Sequence, residues 1–197
     1  MAKTLALAFG LLLGVSAAAQ AQVELRPDPN PQLPRLSGEG LGLEDQRFLD
    51  IAYGLGEIEA TSGVLAAEKA ANPELRELGR RIAAYHGEMQ TEIRTLAEEF
   101  GASAAFPEIL TPWRSGLEEI AKLEGEAFDP AFLRWQLGTH LTLIELFQQQ
   151  ASQTTNPTFS TYAITSLVEI QEHFDALRAL AEPYGIEVDL VEQPPQY

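Results

Sequence analysis

The chain has 197 residues, 45% of them hydrophobic, and its 13 lysines and arginines stand against 29 aspartates and glutamates, a net charge of −16. That balance argues against nucleic acid and anionic membrane surfaces as partners, since both would repel it. There is no cysteine, which excludes disulfides and a lipid-modified N-terminal cysteine, so stability must come from packing.

The first residues read as an export signal. Met1 to Lys3 supply a short basic start, Leu5 to Val15 form an apolar run broken only by small residues, and Ala19-Gln20-Ala21 is a small-x-small cleavage signature. The run is too short for a spanning helix, which needs ~20 apolar residues. Residues 1–21 are therefore expected to be removed, leaving a periplasmic or secreted protein with no membrane anchor. Removal takes away Lys3 and leaves 12 basic against 29 acidic groups, a charge of −17. Residues 22–43 read as a linker, because Pro27, Pro29, Pro31 and Pro34 disfavour helix and Gly38, Gly40 and Gly42 follow.

Helical periodicity begins near Glu44 and holds to about Ala70. Phe48, Ile51, Leu55, Ile58, Leu65 and Ala66 recur at three- and four-residue spacing, and Glu59 projects into their arc while Glu57 projects away. Asn72-Pro73 supplies an N-cap and a first-turn proline for a second helix to about Phe100, with Gly101 as its stop. Its stripe is Leu75, Leu78, Ile82, Met89, Ile93 and Leu96, and His86 lies inside it. Thr111-Pro112 starts a short helix bearing Trp113, Leu117 and Ile120, while Trp113, Trp135, Phe128 and Phe132 read as packing residues.

Asp129-Pro130 is expected to cap a third long helix reaching about Gln153, with His140 seven residues after Leu133 on its apolar face. Asn156-Pro157 makes the last tight connection, to a helix ending near Ala181 in which His173 sits between Ile170 and Leu177. Residues 182–197 form an acidic, Pro-containing tail.

Four amphipathic helices joined by two tight turns and one longer link predict an all-α antiparallel four-helix bundle over residues 44–181. Glu59 and His86 lie about 13 and 14 residues from the first turn, and His140 and His173 about 15 and 18 from the last. At ~1.5 Å per residue each pair is level within roughly 5 Å, so all four side chains are predicted to converge at mid-height.

These residues carry a resemblance. Glu59 to Pro73 (EATSGVLAAEKAANP), Tyr85-His86, Phe128-Asp129 with Gln136 and His140-Leu141, and Leu167 to Leu180 around His173 resemble the exported bacterial family called domain of unknown function 4142. The resemblance implies a ferritin-like four-helix fold and brings no established activity. Glu59 and the three histidines fall where the family's pattern has glutamate and histidine. The chain departs from it at Tyr85, where aspartate is usual, and at Val168, where proline is usual.

The di-iron chemistry of ferritin-like bundles needs Glu-x-x-His pairs, and Ala83, Leu137 and Ile170 stand where those glutamates would be. A di-iron site is not expected. Nucleophile elbows, phosphate-binding loops and zinc-protease helices are also missing, so no catalytic residue is assigned. What remains admits two readings. Glu59, His86, His140 and His173 either bind one transition-metal ion (Zn, Cu, Fe or Ni), with Gln136 and Glu169 as outer hydrogen-bonding partners, or form a buried hydrogen-bond network in a structural or protein-interaction module. The pattern names no protein partner.

The export reading has a direct check. Mature protein is expected to begin at Gln22, and N-terminal sequencing of the secreted fraction that returned Met1 or Ala2 would overturn it.

Overall fold

Two Asn-Pro steps set the hairpins of the structure, a computed structural model that describes residues 41–188. The expected signal, residues 22–40 of the linker and the tail beyond residue 188 lie outside the described residues. Helix α1 (Leu43–Lys69) turns directly into α2 (Pro73–Glu99), and α4 (Phe128–Gln153) into α5 (Pro157–Ala181). At each turn asparagine caps the second helix: Asn72 accepts from the Glu74 amide at 2.8 Å and Asn156 from the Thr158 amide at 3.0 Å. The following proline presets the first helical φ and lacks an N–H that would have gone unpaired. Gly101 beyond α2 takes a left-handed φ of 69°.

The third step, Asp129-Pro130, works differently from the expectation. Helix α4 starts two residues early, with Ala127 at its N-cap and no side-chain cap. The Asp129 carboxylate instead accepts from the amides of Ala71 at 2.9 Å and Asn72 at 2.8 Å. It thereby satisfies two donors of the α1–α2 turn that no helix can use. Tyr184, just past α5, donates to the same carboxylate.

Those contacts fix the topology. Asp129 places the start of α4 beside the α1–α2 turn. At the opposite end, Gln150 and Thr154 donate to Asp45 at 2.6 and 2.8 Å, placing the end of α4 beside the start of α1. All neighbouring helices are thus antiparallel, in the spatial order α1, α2, α5, α4, and the segment between α2 and α4 travels the full length of the bundle. This is the single-crossover arrangement of ferritin-like folds.

The crossover carries α3 (Thr111–Ala121), which rests on α1 and α4. Arg114 pairs with Glu57 at 2.7 Å, Lys69 donates to the Ala121 carbonyl, and Gly116 lies against the Trp135 indole. Helix α3 therefore covers the α1–α4 seam. The α2–α5 seam has no such cover among the described residues.

The apolar core comes in two parts. One gathers Phe48, Leu55, Met89, Ile93, Phe147 and Phe159, with Phe48 edge-on to Phe147 at 5.1 Å. The other gathers Leu75, Leu78, Ile82, Phe128, Phe132 and Leu177, and extends past α5 to the buried Ile186. Between the two lies a layer of buried polar side chains. No helix among the described residues is long and apolar enough to cross a membrane.

Helices α1 and α2 approach so closely that backbone meets backbone. A Cβ on Gly63 would stand 2.5 Å from both the Ala83 nitrogen and the Gly79 carbonyl oxygen, and neither can move without its helix. Gly63→Ala is expected to destabilise the fold by ~1–3 kcal/mol through overpacking. Gly87→Ala on α2, where nothing lies within 4 Å, should stabilise by up to ~1 kcal/mol through helix propensity. Denaturant unfolding of the two variants checks the pair, and equal effects would contradict this packing.

Candidate metal centre

The polar layer is built from one to three residues on each long helix. On α2 the buried stripe runs Ile82, His86, Met89, Ile93; on α4, Leu137, His140, Leu143; on α5, Ile170, His173, Leu177; on α1, Leu55, Glu59, Ser62, Ala66. Helical periodicity alone turns these residues inward. Glu59, His86 and His140 are 0% exposed and His173 is 3% exposed.

The three imidazoles form a nearly equilateral triangle. Ring centroids are 5.8 Å apart for His86–His140, 5.8 Å for His86–His173 and 5.9 Å for His140–His173. Each ring offers a nitrogen such that all three lie within 4.8 Å of one another. Three imidazoles meeting one ion at ~2.0 Å in a trigonal array would hold their centroids ~5.5 Å and their ligating nitrogens ~3.5 Å apart, so the rings already stand near the required spacing and would need to turn to bring their nitrogens inward.

Hydrogen bonding is one-sided. His140 Nδ1 lies 3.2 Å from the Gln136 carbonyl oxygen, to which it donates, leaving Nε2 with a lone pair. Gln136 Nε2 donates to Glu59 Oε2, and Ser62 Oγ donates to Gln136 Oε1 at 3.1 Å. Glu59 Oε2 stands 3.7 Å from His140 Nδ1, behind that ring, and the group of three converging donors is made of histidines alone. Both nitrogens of His86, Nε2 of His140, Nδ1 of His173 and Oε1 of Glu59 are buried with no protein hydrogen-bond partner. Leaving a buried polar atom unpaired costs ~1–3 kcal/mol. Four unpaired imidazole nitrogens in one layer are therefore hard to explain by folding alone, and they fit the donor set of a bound ion.

Burial fixes the charge states. It pushes the Glu59 carboxyl up to about 7, against the pull of hydrogen bonds from Thr139, Gln136 and Ser62. It pushes His140 down to about 3 and His173 to about 4, and holds His86 well below the usual histidine range, with His140 and His173 adding to the effect. Near neutral pH the trio is uncharged, the form a metal ion requires, and Glu59 is poised to lose its proton.

The outer residues expected from the sequence divide. Gln136 is fully buried, donating to Glu59 through its side chain and accepting from His140 at its carbonyl. Glu169 stays on the exposed face of α5 and makes no hydrogen bond to His173. Two participants were not singled out by the sequence: Ser62, three residues after Glu59 on the buried arc, is legible in hindsight, and Thr139 is marked only by adjacency to His140. Tyr85, which the sequence marked only as a departure from the family it resembles, also borders the site. Tyr85 is half-buried, with its ring edge-on to His86 at 5.2 Å and to His173 at 5.5 Å.

Comparison with known proteins now has a geometry to meet. Among solved structures, the fold is similar to CopM in its Cu(I)-bound form (TM-score 0.62, 16% identity, covering 73% of this chain and 99% of that one). It is also similar to CopM in its Cu(II)-bound form (TM-score 0.59, 15% identity, covering 71% and 96%). At such identity the likeness is one of fold. No curated protein matches the sequence. The family profile described as "Domain of unknown function (DUF4142)" matches residues 30–180, and the chain therefore belongs to that family.

Proposed function

We propose that this protein is an exported metal-binding bundle that holds one transition-metal ion, copper foremost, in its core through His86, His140 and His173. The carrying observation is the triangle of neutral imidazoles with unpaired nitrogens converging within 4.8 Å. Imidazole suits Cu, Zn, Fe and Ni, and geometry and availability choose among them. Copper is favoured because the similarly folded CopM is copper-bound in both its forms.

The residues around the trio would divide the work. The Gln136 carbonyl holds His140 in the tautomer whose Nε2 is free to donate. Glu59, tied to Gln136, would supply a negative charge behind His140 and so lower the cost of placing a cation in a low-dielectric core. The export signal ending at Ala21 would place this role in the periplasm or outside the cell.

A second reading rests on the Glu59–Gln136–Ser62 chain, which would serve a purely structural hydrogen-bonded layer equally well. One measurement separates the two. Chelator-stripped protein is expected to unfold at higher temperature with copper, by the equivalent of ~2.7 kcal/mol at a free concentration 100 times the dissociation constant. His86→Ala and His140→Ala should abolish the shift, while Glu169→Gln should leave it intact. A folded, demetallated protein that showed no shift with copper, zinc, iron or nickel would favour the structural reading.

The pH dependence has a definite sign. The histidines titrate lower in the fold than in the unfolded chain, where 6.5 is ordinary, so their contribution is present above that value. It is lost as pH falls from 6.5 toward 4 and 3, because the unfolded chain takes up protons that the fold refuses. Glu59 opposes them in part: raised from 4.5 to about 7, it contributes below 4.5 and loses that contribution as pH rises through 7. Three groups against one give a net loss of apo stability below about pH 6.5. Copper release should steepen the loss, because protons then compete for the same nitrogens. Apo and loaded proteins with flat, superimposable stability curves between pH 7 and about 4.5 would contradict this.

A further inference from the structure

The histidines are enclosed on almost every side. Apolar clusters close the layer above and below. Glu59, Ser62, Gln136 and Thr139, all 0% exposed, close it toward α1 and α4, and α3 lies over that seam. Between α1 and α2 the backbones touch at Gly63 and Gly79, and Gly56 packs on Met89. Two boundaries remain: the α4–α5 hairpin, whose helices pack closely along their length, and the looser seam between α2 and α5, which no helix covers among the described residues. Of the three histidines, only His173, on α5, keeps any exposure.

Tyr85 occupies that seam at the level of the trio. Its ring rises from α2, lies against His86 and His173, and has its other side in solvent. Its hydroxyl crosses to α5 and donates to the Ser166 carbonyl at 3.2 Å. That single hydrogen bond, to an oxygen on the facing helix, is what holds the ring across the gap.

We propose that Tyr85 is the gate of the histidine site: a metal cation enters and leaves between α2 and α5, and exchange requires the Tyr85 ring to swing away from Ser166. This rests on the metal-binding reading for its cargo, although the opening itself is a property of the apo fold. Rotation about the side chain of one half-buried residue is a local event that needs no unfolding of the bundle. It sets how fast ions exchange without setting how tightly they are held, since the ring contributes no donor atom to the trio.

The test uses the full mature protein and two variants, Tyr85→Phe, which keeps the ring and removes the tie, and Tyr85→Ala, which removes both. In the apo state, histidine carbethoxylation by diethyl pyrocarbonate, resolved residue by residue by mass spectrometry, reads access without any metal. His173 is expected to react ~10-fold faster or more in Tyr85→Ala and ~3-fold faster in Tyr85→Phe, the second reflecting loss of one hydrogen bond. In copper-loaded protein, release to an excess of chelator should accelerate in the same order, with the dissociation constant changed less than ~3-fold because both rates rise together. Unchanged His173 reactivity in Tyr85→Ala overturns the gate, as does equal acceleration at all three histidines with loss of near-ultraviolet circular dichroism, which would mean general loosening. If Tyr85→Ala does not fold, Tyr85→Phe decides alone, and wild-type reactivity of its His173 overturns the proposal. A wild-type protein that binds none of copper, zinc, iron and nickel sinks the metal reading, while the carbethoxylation arm still decides whether Tyr85 controls access.

Discussion

Burying three imidazoles and a carboxyl in the middle of an apolar bundle is the constraint around which this structure is arranged. Each ionised group there would lack water, so the fold keeps the histidines neutral and pushes Glu59 toward its acid form. The remaining hydrogen-bonding capacity is met very unevenly. Toward α1 and α4, amide, hydroxyl and carboxyl groups satisfy one another through Gln136 and Ser62. Toward α2 and α5, nitrogens of His86 and His173 face each other with no protein partner. One half of the layer is tied together by hydrogen bonds, with Glu59 Oε1 and His140 Nε2 left over, and the other half is not. The placement of α3 follows the same division, since it covers the seam of the fixed half.

Much of this was legible in the sequence because the signals are local. Caps and first-turn prolines at Asn72-Pro73 and Asn156-Pro157 mark helix starts through bonds spanning two or three residues. Periodicity at 100° per residue separated inward Glu59 from Glu57, which pairs with Arg114 at the surface. The three histidines lay inside apolar stripes for the same reason, and their heights followed from counting residues to the turns.

What the sequence hid was nonlocal. Asp129-Pro130 has the composition of a cap, yet its carboxylate serves a turn more than fifty residues away in the chain. Glu169 is one turn from His173, which suggested a shared face. However, His173 sits at one edge of the α5 stripe, with Ser166, Ile170 and Leu177 all to one side of it, and Glu169 projects about 40° farther out on the other. Tyr85 lies beside a histidine in sequence and so nominally off the stripe. Only the assembled α2–α5 seam shows that a long aromatic side chain there reaches the facing helix. The direction of the crossover was equally invisible, because mid-height residues meet whichever way it runs.

That crossover has a consequence for how the protein matures. Each hairpin, α1 with α2 and α4 with α5, is stitched by contacts between segments close in sequence, the kind that form early and fast. His86 belongs to the first hairpin, and His140 and His173 to the second, with the long α3 segment between them. The complete triad therefore comes into being only when the two hairpins dock, the slowest and least local step of assembly. A half-folded chain brings no more than two of the three imidazoles together. Completion of the bundle and assembly of the triad are thus the same event, and under the metal-binding proposal the topology would delay capture until the chain has folded.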